Sequence, residues 1–155
     1  MKTIDEMKKE IERIEERKHE LYQNRDKSLT TDDAREFKWY IENIDPLNEQ
    51  KKQLERQIIR ETNLNVKVGD GATLCLYTDR EAYTIIKRTA KTITIQRDKA
   101  IRTDDNGMSD CQDYRYERDY DGIIRTARWS EVKGCFMYNG MRIATGRYEY
   151  YDYSF

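Results

Sequence analysis

Residues 69–102 read GDGATLCLYTDREAYTIIKRTAKTITIQRDKAIR, and three short strands can be laid on them. Residues 73–77 alternate, with Leu74 and Leu76 on one face. Residues 82–88 put Tyr83 and Ile85 on one face and Ile86 on the other, and residues 91–97 place Ile93 and Ile95 together. Threonine and isoleucine dominate, the composition that a pleated and half-buried surface favours. Asp79-Arg80 and Ala90-Lys91 are polar breaks too short for crossover helices, so the strands are expected to be antiparallel neighbours.

The pattern continues downstream. Residues 103–113 (TDDNGMSDCQD) form a polar loop with an Asn106-Gly107 turn; Asp104, Asp105, Asn106 and Asp110 lack the spacing and closing Glu of an EF-hand. Residues 114–120 alternate tyrosine with charge, Asp121-Gly122 is a hairpin signal, and residues 123–130 follow as its partner. There Ile123, Ala127 and Trp129 share one side, and Ile124, Thr126 and Arg128 the other. Residues 135–138, the Asn139-Gly140 turn and residues 141–145 make another hairpin, and residues 147–153 close the chain as a last strand. About seven strands at hairpin spacing predict a compact antiparallel barrel or sandwich, best matched by an SH3-like barrel with an added hairpin.

Upstream the period changes. Ile4, Met7, Ile11, Ile14 and Leu21 recur at helical spacing as a narrow stripe, the seam of a coiled coil. Residues 24–31 break it, and Thr30 with Asp33 resembles a capping box that starts a second helix. Its seam is Ala34, Phe37, Ile41, Ile44, Leu47, Leu54 and Ile58. Pro46 either kinks this helix or starts a third one behind an Asp45 cap, and the unbroken stripe favours the kink. The expected class is α+β: a coiled-coil-like antiparallel helical hairpin over residues 1–62, then a small antiparallel β-barrel over residues 63–155. A hairpin with so narrow a stripe buries little alone, so pairing with another copy or with the β part is expected.

Composition supports the division. The first part holds 14 basic and 16 acidic residues and no glycine; the second holds 15 and 14, all seven glycines and ten of twelve tyrosines. The net charge of −1 gives no electrostatic prior for nucleic acid. No apolar run approaches ~18 residues, and the chain opens on charge rather than on a signal peptide, so no membrane and a cytoplasmic location are expected. Cys75, Cys111 and Cys135 are odd in number and lack CxxC spacing, which fits reduced thiols.

Catalytic equipment is thin. The single histidine, His19, falls in the first helix, so histidine triads and histidine-bearing zinc sites have no place in the β part. No phosphate-binding glycine loop is present. Asp79, Asp98, Asp113, Glu117, Asp119 and Asp152 are the carboxylates available for acid–base work, but Arg80, Arg97, Arg115 and Arg118 stand close by in sequence and would keep them ionised. No catalytic residue, metal or cofactor is assigned. Arginine beside aromatics is the positive signal, because guanidinium groups pair with phosphate or carboxylate and aromatic faces stack on bases. The candidate binding surface is Arg97, Arg128, Trp129, Arg147 and Tyr150.

Two segments, GDGATLCLYTDREAYTII…KTITIQRDKA and ARWSEVKG…RIATGRYEYYDYSF, resemble a family of small proteins encoded by bacteriophages and mobile elements of Firmicutes. The resemblance spans about residues 68–155, leaves the helical part unmatched, and carries over no catalytic residues. It implies an accessory protein in the cytoplasm of a bacterial host. The leading expectation is a non-catalytic binding protein, an inhibitor or sponge acting against a bacterial defence system, with a host protein or a nucleotide-like small molecule as partner. A nucleic-acid-binding accessory module and a structural or assembly protein are the alternatives.

Overall fold

The computed structural model describes residues 2–25 and 33–154. The chain divides into two compact units, Met1–Glu61 and Thr62–Phe155.

In the first unit α1 spans Ile4–Gln23, α2 Asp33–Asn43 and α3 starts at Asp45, its last residues passing into the second unit at Leu64. Thr3 caps α1 in a full capping box: its hydroxyl accepts from the Glu6 N–H, and Glu6 accepts from the Thr3 N–H. The expected capping residue of the second helix, Thr30, lies outside the described residues. Met7, Ile14 and Leu54 are buried together, with Ile4, Ile11, Leu47 and Ile58 packed on them. As α1 advances its partners pass from α3 back to the earlier α2: Glu10 and Glu15 meet Gln50 and Lys51, whereas Tyr22 meets Trp39 and Arg25 meets Glu36. The hairpin is therefore antiparallel.

The break at Pro46 is confined to one residue. Ile44 N–H still bonds the Tyr40 carbonyl and Asn48 N–H the Ile44 carbonyl, so helical bonding carries across a local discontinuity. The α2 seam differs from the expected one. Phe37 and Ile41 are exposed, whereas Trp39 packs its ring on Tyr22 at 5.6 Å and Arg25 lies over both. The half-buried face of α2 is the one with Glu36, Trp39 and Asn43, where the large ring contact is made.

In the second unit six strands close into a barrel in the order β1 (Gly71–Cys75), β2 (Arg80–Arg88), β3 (Thr92–Arg97), β6 (Ile124–Ser130), β7 (Cys135–Tyr138), β8 (Met141–Thr145). Every pairing is antiparallel, and β8 returns to β1 with Leu74 opposite Ile143. β4 (Lys99–Arg102) and β5 (Tyr114–Glu117) form a separate two-stranded sheet between β3 and β6, the added hairpin. Alternation decides what points inward: Leu74, Tyr83, Ile85, Ile93, Ile95, Ala127, Phe136 and Ile143 are buried as one core. Each leucine, isoleucine or phenylalanine among them contributes roughly 1.5–3 kcal/mol relative to exposure.

Two pairings differ from expectation. Residues 114–117 pair with β4, not with residues 123–130, and β6 lies between β3 and β7. The Asp121-Gly122 turn exists, with Gly122 N–H bonding the Asp119 carbonyl, but it leads the chain from the small sheet back into the barrel. Glycine is required there by proximity: a Cβ would stand 2.2 Å from the Arg97 carbonyl oxygen. Residues 147–153 are also not a strand. They form a strap fixed by one backbone bridge, Tyr150 to Arg80, and by side chains.

Candidate functional site

Asp98, just past the end of β3, is the most buried charge of the barrel unit, its side chain fully enclosed. Its two oxygens divide between two arginines: Arg118 Nη1 donates to Oδ1 at 2.7 Å and Arg147 Nε to Oδ2 at 2.9 Å. The Thr84 hydroxyl adds a bond to Oδ2 at 2.7 Å, and Gln96 accepts from the second Arg118 nitrogen at 2.9 Å. A buried carboxylate pays a large desolvation cost unless it is fully paired, and here it accepts three donors. The hub ties together β3, the residue after β5, and the strap after β8.

The strap is held along its length. Arg97 pairs with Glu149 and also donates to the Ala82 and Asp98 carbonyls. Tyr116 OH accepts from Glu149 N–H, Gln112 exchanges two hydrogen bonds with the Tyr151 backbone, and Asp79 accepts from Asp152 N–H. Arg102 reaches Tyr153 OH at 2.8 Å while its fork grips Asp104. That guanidinium, with the Asp113 and Asn106 N–H groups, holds the Asp104 carboxyl well below the usual carboxylate range.

The five residues expected to form a binding surface are thus distributed among different tasks. Arg97 and Arg147 clamp carboxylates, and Tyr150 donates to Asp110 at 2.8 Å, which raises its pKa to about 12. Trp129 packs inward, edge-on to Phe136 at 5.1 Å. Arg128 stands exposed on the outer face of β6. The structure brings Arg97 and Arg147 to neighbouring positions around residues 82–84 and 98, and leaves Arg128 apart. His19 is an exposed helix residue, and Cys75, Cys111 and Cys135 are free thiols, burial raising the Cys135 pKa. Among the described residues no group of three His, Cys, Asp or Glu side chains could hold a metal, and no helix is long and apolar enough to cross a membrane.

One arginine outside that set occupies a different environment. Arg125 lies on the same face of β6 as Ala127 and Trp129, so barrel closure turns it inward. Its Nε donates to Tyr83 OH at 2.9 Å and its Nη1 to Tyr138 OH at 3.1 Å, and its guanidinium lies 5.0 Å from the centre of the Tyr138 ring. Tyr83, fully buried, donates its own hydroxyl hydrogen bond to Glu81 at 2.7 Å. Burial pushes the Tyr83 hydroxyl up to about 12. Arg97 covers the Tyr83 ring at 5.7 Å. The alternation of residues 123, 125, 127 and 129 holds the signal for this site: an arginine on an apolar face of a strand.

No family model, curated protein or solved structure matches the chain. Function is therefore argued from these side chains. The Asp98 oxygens are taken up by Arg118, Arg147 and Thr84, which makes this carboxylate part of the framework. A guanidinium satisfied by neutral hydroxyls keeps its charge available to an anion.

Proposed function

We propose that this chain is a non-catalytic binding protein of the bacteriophage and mobile-element type. It acts in the bacterial cytoplasm as an inhibitor or sponge against a defence system, through a host protein or a nucleotide-like ligand. The observation that carries the binding reading is the contrast among arginines: Arg97, Arg118 and Arg147 are consumed in building a rigid barrel, while Arg125 is held by tyrosine hydroxyls alone. Rigid scaffolds that present a preorganised cation lose little on binding. The defence setting rests on the resemblance over residues 68–155. Assembly of copies through the helical hairpin belongs to the same proposal, supported by Phe37 and Ile41, which α2 leaves exposed one turn apart.

The test is expression of the chain in bacteria carrying individual defence systems, followed by challenge with sensitive phage. Restored plaquing against at least one system is expected. Unchanged plaquing across a broad panel would remove the anti-defence reading. Light scattering on the purified protein checks assembly: a mass above one chain is expected, falling to one chain in Phe37→Glu.

A further inference from the structure

We propose that the Arg125 end of the barrel is a binding site for the oxyanion group, phosphate or carboxylate, of a small molecule. The inference rests on the reading of the barrel as a binding module and names the chemistry that the module recognises.

Antiparallel closure gives the barrel two ends, and the inward residues grade from one to the other. At one end Asn63 and Val66 stand with Gly71, Ala72, Ile85, Ile93, Phe136 and Ile143 around a cavity with room for no more than a water. Arg88 closes that end by donating to the Val66 and Leu64 carbonyls at 3.0 and 2.7 Å, the cation lying on the last turn of α3. At the other end β1, β3 and β7 finish while β2, β6 and β8 begin, and the inward set becomes Glu81, Tyr83, Arg125 and Tyr138.

An inward arginine among aliphatic side chains needs a reason, since a leucine or methionine there would extend the core at no desolvation cost. Structural ion pairing does not supply one: the acceptors of Arg125 are two neutral hydroxyls, and the Glu149 and Asp98 carboxylates are already taken by Arg97, Arg118 and Arg147. Guanidinium has five N–H donors. Nε and one Nη1 donor are occupied; Nη2 and the remaining Nη1 hydrogen form the edge that takes a two-oxygen acceptor bidentately. The edge is also held still. Tyr138 holds the guanidinium through its hydroxyl with the ring centre 5.0 Å away, and the Arg125–Tyr83–Glu81 chain fixes its rotation, with Arg97 covering Tyr83 from the next strand. Arg125 is half-buried rather than enclosed, so solvent reaches it. Tyr77, almost fully exposed in the β1–β2 turn at this same end, adds an aromatic face outside the anion position.

The experiment follows the Arg125 Nε–H signal of ¹⁵N-labelled full-length protein at constant ionic strength while sodium phosphate, sodium acetate or adenosine monophosphate is added. A saturating shift of that signal with at least one probe is expected, at or below the order of 10 mM. Saturation by phosphate and the nucleotide alone assigns phosphate, saturation by acetate as well assigns a general oxyanion site, and tighter binding of the nucleotide than of phosphate assigns the aromatic rim. Arg125→Lys keeps the charge but loses the fork, and weakens binding about tenfold or more. Glu81→Gln removes a negative charge one hydroxyl away and tightens binding, a gain that a damaged fold does not produce. The inference is overturned by the absence of saturation with all three probes, by saturation that leaves the Arg125 signal in place, or by equal affinity in Arg125→Lys. Anion binding without restored plaquing refutes the anti-defence function alone, and restored plaquing without anion binding refutes this site alone.

Discussion

The two ends of the barrel use arginine in opposite ways. At the end nearer Val66, Arg88 caps carbonyl oxygens over an apolar interior and lies on the Phe136 ring at 5.3 Å, so its charge finishes a structural closure. At the other end Arg125 enters the interior itself, and tyrosine hydroxyls hold it. Outside, near that second end, Arg118 and Arg147 surround one enclosed carboxylate. The same side chain is scaffold where a carboxylate or a backbone carbonyl holds it, and under the proposal above it is the recognition group where only tyrosine hydroxyls hold it.

This comparison is broken most severely by emptying the apolar end. Phe136→Ala removes a fully buried ring that packs on Trp129, and it should cost about 3–5 kcal/mol in denaturant unfolding. A cost below about 1 kcal/mol would show that this end is not the core of the barrel. Asp98→Asn comes next. It keeps the shape but leaves Arg118 and Arg147 without their shared charge, and about 3 kcal/mol is expected, the low end for a broken buried pair because both guanidinium groups retain some access to water. Faster trypsin cleavage after Arg147 should accompany it, because the strap loses its anchor.

A pH measurement sharpens the polar end. Tyr83 is held neutral by burial, its folded pKa of about 12 lying above the unfolded value near 10. The unfolded chain therefore gives up this proton first as pH rises. The stabilisation is complete below about pH 10 and is lost between 10 and 12, on the order of 2 kcal/mol. Tyr83→Phe should flatten that part of the stability profile relative to the parent chain, and an unchanged profile would contradict the burial argument. The smallest effect belongs to Arg128→Ala. An exposed arginine on the outer face should change stability by less than about 0.5 kcal/mol, whereas Arg147→Ala, which strips the Asp98 hub, should cost several times more. Equal effects of the two would erase the distinction between scaffold and surface arginines.

Much of the framework was legible along the chain. The alternations at Leu74, Tyr83, Ile85, Ile93 and Ile95 placed β1 to β3 and their inner face, because side-chain direction in a strand has period two whatever the strand's partner is. Asn139-Gly140 marked the β7–β8 turn through its chemistry: both residues adopt positive φ, 45° and 81°, as this hairpin requires. The stripe of Met7, Ile14 and Leu54 marked the helical seam. What sequence left open is non-local. Asp121-Gly122 signals a turn but not which strands it joins, so β5 could be assigned to β6 when it pairs with β4. Arg97 beside Asp98 suggests a pair, yet the fold gives Asp98 to Arg118 and Arg147, at 20 and 49 residues' separation, and Arg97 to Glu149. Arg125 carries the same charge in the sequence as Arg128. Alternation puts the two on opposite faces, but only closure of the sheet turns one of those faces into an enclosed interior, because the inside of a barrel exists only once its first and last strands have met.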